Sequence, residues 1–103
     1  MDALEELQIW YRAQCDGDWE HSYGVKIDTL DNPGWSLTVD LTDTALSGKP
    51  FAEKTYGTGP NAPTSGNEWL HCKVENEQFL ATGGPTKLGV MITIFLAWAS
   101  RVV

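Results

Sequence analysis

Four residues near the end of the first predicted helix could carry chemistry: Cys15, Asp18, Glu20 and His21. A carboxylate beside a histidine can raise its basicity and orient its ring, as a general base requires. Cys15 would then be the thiol that the base activates. The competing interpretation is structural, with Glu20 and His21 hydrogen-bonded inside a short crossing from helix to sheet. We favour this second interpretation, because no phosphate-binding glycine loop or activated nucleophile completes a catalytic set.

The cysteines and histidines lack the spacing of a zinc site. Cys15 and Cys72 are far apart, and neither they nor His21 and His71 form the paired short loops that such sites use. We therefore expect no metal and no other cofactor. The acidic start of the chain lacks the basic and apolar regions of a secretory signal, so we expect a cytoplasmic protein with free thiols.

Length and charge limit the function further. The 103 residues are enough for one domain, expected to span residues 1–103. The formal net charge is −7, with only seven Lys and Arg residues scattered along the chain. Nucleic-acid binding requires clustered basic residues and is therefore excluded. An acidic surface suits a basic partner, although net charge can also serve solubility alone.

Helical periodicity marks both ends of the chain. From Asp2 to Gln14, Asp2 can cap the helix and Glu5 lies at the capping-box position. The apolar stripe of this helix holds Ala3, Leu4, Leu7, Trp10 and Tyr11. A second, strongly apolar helix is predicted from Leu88 to Trp98 after a Thr86 cap, too short to span a membrane. We expect it to lie between the sheet and the first helix with little surface left for solvent.

Between the helices, alternating patterns predict strands at residues 25–30, 35–42, 51–56 and 69–75. The fold class is therefore α+β, with an antiparallel sheet of about four strands in meander order and both helices on one face. A loop from Gly57 to Asn67 is rich in Gly, Pro, Ser, Thr and Asn, and we interpret it as mobile. The run Asp31-Asn32-Pro33-Gly34 predicts a reversal with positive φ at Gly34.

The run WYRAQCDGDWEHSYGVKIDTLDNPGW, from Trp10 to Trp35, resembles the signature of the immunity protein 53 family. The similarity continues through residues 39–41 and 44–46, Trp69 and the segment 95–98. These are small bacterial proteins associated with polymorphic toxin systems. The resemblance implies a binding role in which the protein occludes a cognate toxin, and it implies no catalytic residues.

Resemblance and charge together predict a stoichiometric inhibitor that binds a toxin domain with a basic contact surface. Acidic side chains would steer the partner, and exposed aromatic residues would anchor it. The alternative function is a small enzyme or small-ligand-binding domain that uses the cluster of Asp18, Glu20 and His21 with Cys15. We expect a monomer or a weak homodimer. The predicted partner-binding residues are Asp18, Trp19, Glu20, His21, Tyr23, Asp28, Asp31, Asn32, Asp40 and Trp69.

Overall fold

The computed structural model describes residues 2–57 and 68–100. The described elements are α1 Ala3–Gln14, α2 Trp19–Ser22, β1 Val25–Leu30, β2 Gly34–Asp40, β3 Lys54–Tyr56, β4 Leu70–Glu75, β5 Gln78–Gly83 and α3 Leu88–Ser100. The predicted α+β class is confirmed. The loop predicted from Gly57 to Asn67 lies, after its first residue, outside the described residues.

The strands form one antiparallel sheet in the order β1-β2-β5-β4-β3. Every pairing in this sheet is antiparallel, as predicted. The predicted meander order of about four strands is wrong, because β5 is a fifth strand and lies between β2 and β4. The chain therefore leaves the sheet after β2 and returns at the opposite edge with β3.

The fifth strand was missed because of the turn that precedes it. Glu75 lies opposite Gln78, so Asn76 and Glu77 form a two-residue connection, and their φ angles are 54° and 60°. Positive φ at both positions defines a type I′ hairpin turn, which usually carries Gly at the second position. Glu77 does not signal such a turn, and the sequence pattern therefore hides the hairpin.

The core lies between one face of the sheet and the two long helices. Fully buried side chains from the central strands include Leu37, Val39, Phe79 and Cys72. Against them packs Phe95 of α3, whose ring centroid lies 5.2 Å from that of Phe79 and 4.9 Å from that of Trp10 in α1. Contacts of α3 with β2, β5 and α1 confirm that both helices lie on one face.

The capping of α1 follows the prediction, whereas α3 departs from it. The Asp2 carboxylate accepts a hydrogen bond from the Glu5 N–H over 2.8 Å. The first hydrogen bond of α3 runs from the Met91 N–H to the Lys87 carbonyl, so α3 begins one residue after the position that Thr86 would cap. Val90 is 45% exposed, and the expectation that α3 leaves little surface for solvent is wrong. Within residues 2–57 and 68–100, no helix is long and apolar enough to cross a membrane.

The connection between β1 and β2 corrects the interpretation of Gly34. Three residues, 31–33, link the strands, and the Asn32–Pro33 peptide bond is cis. Gly34 is not among the glycines with positive φ, so that prediction is wrong. A Cβ atom at Gly34 would instead overlap the carbonyl oxygen of Gly83 on β5. Glycine is required here by close strand approach, not by backbone conformation.

The strand predicted from Phe51 is shorter than expected, because only residues 54–56 pair with β4. Phe51 packs into the core instead. Its ring centroid lies 5.4 Å from Phe79 and 5.3 Å from Trp98, in edge-to-face arrangements that aromatic pairs prefer. Core packing, rather than strand pairing, determines the position of this segment.

Candidate functional site

The crossing between α1 and β1, residues 15–24, is organised by two carboxylates. The Asp16 Oδ1 atom accepts hydrogen bonds from the N–H groups of Trp19 and Asp18, both over 2.9 Å. These bonds supply acceptors for the free N–H groups at the start of α2. Hydrogen bonds to the charged form favour it, so the pKa of Asp16 is lowered from its ordinary value of 3.8.

Glu20 holds the same segment from the other side. Its Oε1 accepts from the Asp16 N–H over 2.9 Å, and its Oε2 accepts from the Gly17 N–H over 2.8 Å. Hydrogen bonds from backbone N–H groups hold the pKa of Glu20 below the ordinary value of 4.5. The largest contribution comes from the N–H of Glu20 itself, and smaller ones come from Asp16 and Gly17. Gly17 has φ of 92°, which suits a residue without a Cβ atom. The structural interpretation of Glu20 is confirmed.

One thiol contacts the backbone of α1 and the other is buried in the core. The Cys15 Sγ donates to the Tyr11 carbonyl over 3.4 Å, and His21 is exposed. Both cysteines are free, as predicted. Burial raises the pKa of the Cys72 thiol to about 11, which keeps it protonated and unreactive near neutral pH. Within the described residues, no group of His, Cys, Asp and Glu side chains is placed to hold a metal ion.

Trp19 is buried, with only 4% of its surface exposed. Its indole Nε1 donates to the Thr42 carbonyl over 2.8 Å. The rings of Trp10, Tyr11 and Tyr23 surround it, with centroids 6.1 to 6.3 Å away. The prediction of Trp19 as an exposed anchor is therefore wrong. The short helix α2 turns this side chain inward, a placement set by contact with a residue 23 positions along the chain.

Asp40 also has a structural task. Its Oδ2 accepts from the Gly24 N–H over 2.9 Å, and its Oδ1 accepts from the Gln78 side-chain amide over 2.8 Å. The half-buried carboxylate thus joins the ends of three neighbouring strands. Because both carboxylate oxygens accept hydrogen bonds within the chain, Asp40 mainly holds these strand ends together and is less available to a partner.

Tertiary contacts gather five acidic residues at one end of the sheet. The Trp19–Thr42 bond joins the crossing to the loop after β2, and the Leu41 N–H donates to the Glu77 carbonyl of the β4–β5 turn over 2.9 Å. Asp43 and Glu77 were not predicted as site residues, since no local pattern places them beside the crossing. We call this surface the acidic end and define it by Asp16, Asp18, Glu20, Asp43 and Glu77.

His21 and Tyr23 also lie in the crossing. The remaining four predicted residues lie toward the opposite end of the sheet. Asp31 and Asn32 are exposed in the β1–β2 turn, with Asp28 on the adjoining strand. Trp69 is half-buried just before β4, where its carbonyl accepts from the Gly84 N–H over 3.0 Å. The predicted set therefore divides into two groups and does not form one surface.

An apolar groove of about 290 Å³ separates α1 from the edge strand β1. Leu4, Leu7 and Tyr11 line it from the helix, and Val25 and Ile27 line it from the strand. Leu4 is 53% exposed and Ile27 39% exposed. Such apolar surface, open to solvent, is typical of a contact with another protein.

These features define a small acidic α+β protein with a group of acidic residues at one end of its sheet. The sequence matches the family model of Immunity protein 53 over residues 4–100, nearly its whole length. The chain therefore belongs to the Immunity protein 53 family, which confirms the resemblance carried by residues 10–35. Comparison with curated proteins and with solved structures found no match to the chain.

Proposed function

We propose that this protein binds a cognate bacterial toxin domain and neutralises it as a stoichiometric inhibitor in the cytoplasm, without catalysing a reaction. Family membership over residues 4–100 is the observation that carries this proposal. The net charge of −7 supports a toxin whose contact surface is basic. The use of Glu20 as a backbone ligand supports binding over catalysis by the crossing.

The acidic end is the surface that we assign to the toxin. Asp18 and Asp43 are exposed, and the lowered pKa values of Asp16 and Glu20 keep both carboxylates ionised well below neutral pH. Charges of one sign gathered on one surface steer a basic partner and accelerate its association. Half-buried Tyr23, supported from behind by Trp19 at 6.1 Å, would be the aromatic anchor beside these charges.

Acidic residues toward the opposite end are a weaker candidate surface. There the Glu68 carboxylate is paired with Lys87 over 2.5 Å, and Glu53 contacts His71 over 2.7 Å. Pairing reduces the field that such residues project toward a partner. Asp31 remains exposed at the β1–β2 turn and provides a matched comparison for the acidic end.

The test is binding and protection with the toxin domain encoded beside the immunity gene. Wild-type protein should protect cells during co-expression and form a complex of equal numbers of the two chains. Asp18→Lys and Asp43→Lys should each slow association by about tenfold at low salt, with a smaller change in dissociation. Asp31→Lys carries the same change of charge and should have little effect.

Two results would contradict different parts of the proposal. Failure of the wild-type protein to bind or protect would overturn the immunity function itself. A complex weakened by Asp31→Lys, but not by Asp18→Lys or Asp43→Lys, would retain the function and move the contact surface to the β1–β2 turn.

A further inference from the structure

The edge strand β1 is unusually open for a strand of six residues. Within residues 2–57 and 68–100 it pairs with β2 alone, and four of its residues in sequence, 26–29, are exposed. Folded proteins normally protect such an edge, because unpaired N–H and C=O groups invite another strand. Here the groove between α1 and β1 exposes apolar surface along that same edge.

The direction of the free backbone groups follows from one hydrogen bond. The first pair of the β1–β2 register is Val25 with Val39, and Gly24 and Asp40 lie opposite each other just before it. The Asp40 N–H donates to the Gly24 carbonyl over 3.0 Å. Residues that bond across an antiparallel pair alternate along each strand. Even-numbered residues of β1 therefore direct their backbone groups to β2. The odd-numbered residues direct theirs outward, to the free edge: Val25, Ile27 and Thr29.

The side chains of this strand are complementary to a second, antiparallel copy of the same strand. If Ile27 is placed opposite Ile27 of a copy, Lys26 falls opposite Asp28, and Asp28 falls opposite Lys26. Opposite charges then face each other twice on the sheet surface away from the helices, and two isoleucines meet on the helix side. The same register places outward-directed backbone groups against one another.

We infer that this face binds a second copy of the chain, through antiparallel pairing of β1 with β1 about a two-fold axis at Ile27. The two sheets become one continuous sheet, and the contact is isologous, as in most homodimers. Ile27, Leu4 and Tyr11, which are 39%, 53% and 38% exposed in the single chain, lie along the seam on the helix side. Burial of this apolar surface favours association.

This dimer leaves the proposed toxin surface free. The acidic end adjoins the start of β1, and antiparallel pairing places the starts of the two β1 strands at opposite ends of the seam. Each copy therefore presents its acidic end independently. The strand contact is small, and contacts of limited area form weak complexes, so a concentration-dependent equilibrium between monomer and dimer is expected.

A charge exchange tests the register directly. Sedimentation of the full chain without toxin should show dimers whose fraction grows with concentration up to the millimolar range. Lys26→Asp places like charges opposite each other twice, as does Asp28→Lys, and each should weaken the dimer by about tenfold or more. The double variant Lys26→Asp with Asp28→Lys restores opposite charges and should recover dimerisation. Both positions are exposed, so the folded monomer should be unaffected.

A cross-link provides an independent test. Residues opposite each other in a hydrogen-bonded antiparallel pair have Cα atoms about 5.5 Å apart, and that distance lies within the ~4.4–6.8 Å span of disulfides. Ile27→Cys, in a Cys15→Ser background, should therefore form a covalent dimer on oxidation. Thr29→Cys lies off the axis and should not.

Several outcomes would overturn the inference. Wild-type protein that stays monomeric at millimolar concentration excludes the dimer. If neither Lys26→Asp nor Asp28→Lys weakens the dimer, the contact lies elsewhere. The same conclusion follows if the double variant does not recover dimerisation. A monomer whose toxin binding is lost on Ile27→Lys would show that the edge receives a toxin strand instead. Because sedimentation is measured without toxin, the monomer and dimer results do not depend on the proposed immunity function; only the Ile27→Lys result does.

Discussion

The indole Nε1 of Trp19 donates a hydrogen bond to the backbone oxygen of Thr42 over 2.8 Å. This bond connects the crossing after α1 to the loop after β2. It brings Asp18 and Asp43 to the same end of the sheet, although neither residue takes part in it. The acidic end therefore depends on a buried aromatic residue beneath it as well as on the charges themselves.

Replacing Trp19 tests that dependence. Trp19→Phe keeps an aromatic ring but leaves the Thr42 carbonyl without its donor, so the free energy of unfolding should fall by about 1–3 kcal/mol. Trp19→Ala also opens a cavity and should cost about 3–5 kcal/mol. Urea denaturation measures both. Trp35→Phe is the control, because the Trp35 Nε1 bond to the Pro85 carbonyl is exposed and its loss should cost less.

Gly34 provides a test of close packing between strands. Gly34→Ala should destabilise the protein by about 1–3 kcal/mol, because the added methyl would overlap the Gly83 carbonyl oxygen. Gly24→Ala is the matched control, since its Cβ would meet nothing within 4 Å and its φ is not positive. That variant should change stability by no more than about 0.5–1 kcal/mol, in the stabilising direction. Equal melting temperatures for Gly34→Ala and Gly24→Ala would contradict the close approach of Gly34 to the Gly83 carbonyl.

The β4–β5 turn offers a stabilising substitution. Glu77 has φ of 60°, a conformation that costs a residue with a Cβ atom about 1–2 kcal/mol. Glu77→Gly should relieve this strain and raise the free energy of unfolding by about 0.5–1 kcal/mol. It also removes the exposed bond from Ser47 Oγ to Glu77 Oε1, and Ser47→Ala measures that loss separately. A melting temperature lower for Glu77→Gly than for Ser47→Ala would count against the strained turn.

The lowered pKa of Glu20 predicts a pH dependence with a definite sign. A carboxylate whose folded-state pKa is depressed stabilises the protein above its unfolded pKa, and that contribution disappears as pH falls through the folded value. Glu20→Gln should therefore melt at a lower temperature than wild type at pH 7. The difference should shrink as pH falls below the ordinary glutamate value of 4.5. A difference that does not shrink as pH falls would contradict this role of Glu20.

Local patterns were sufficient for the elements whose signals lie within a few neighbouring residues. The Asp2 cap, the helix that it begins and the strand Val25–Leu30 follow from side-chain spacing and capping chemistry alone. The family signature in residues 10–35 is likewise a property of consecutive residues, and it was enough to indicate the family. Burial of the alternating positions of β2 needed only the period of a strand.

Tertiary structure decided every feature that joins distant parts of the chain. No local pattern shows that β5 lies between β2 and β4, because strand order depends on which hydrophobic faces pack together. The charged residues beside Trp19 in sequence suggest an exposed anchor. In the structure, contact with Thr42 and with three aromatic rings buries this side chain. Gly34 was identified as an essential glycine for the wrong reason, since its requirement comes from Gly83 on another strand. Asp43 and Glu77 belong to the acidic end because hydrogen bonds connect segments that are far apart in sequence. These long-range bonds, and not the neighbouring residues, determine which charges share a surface.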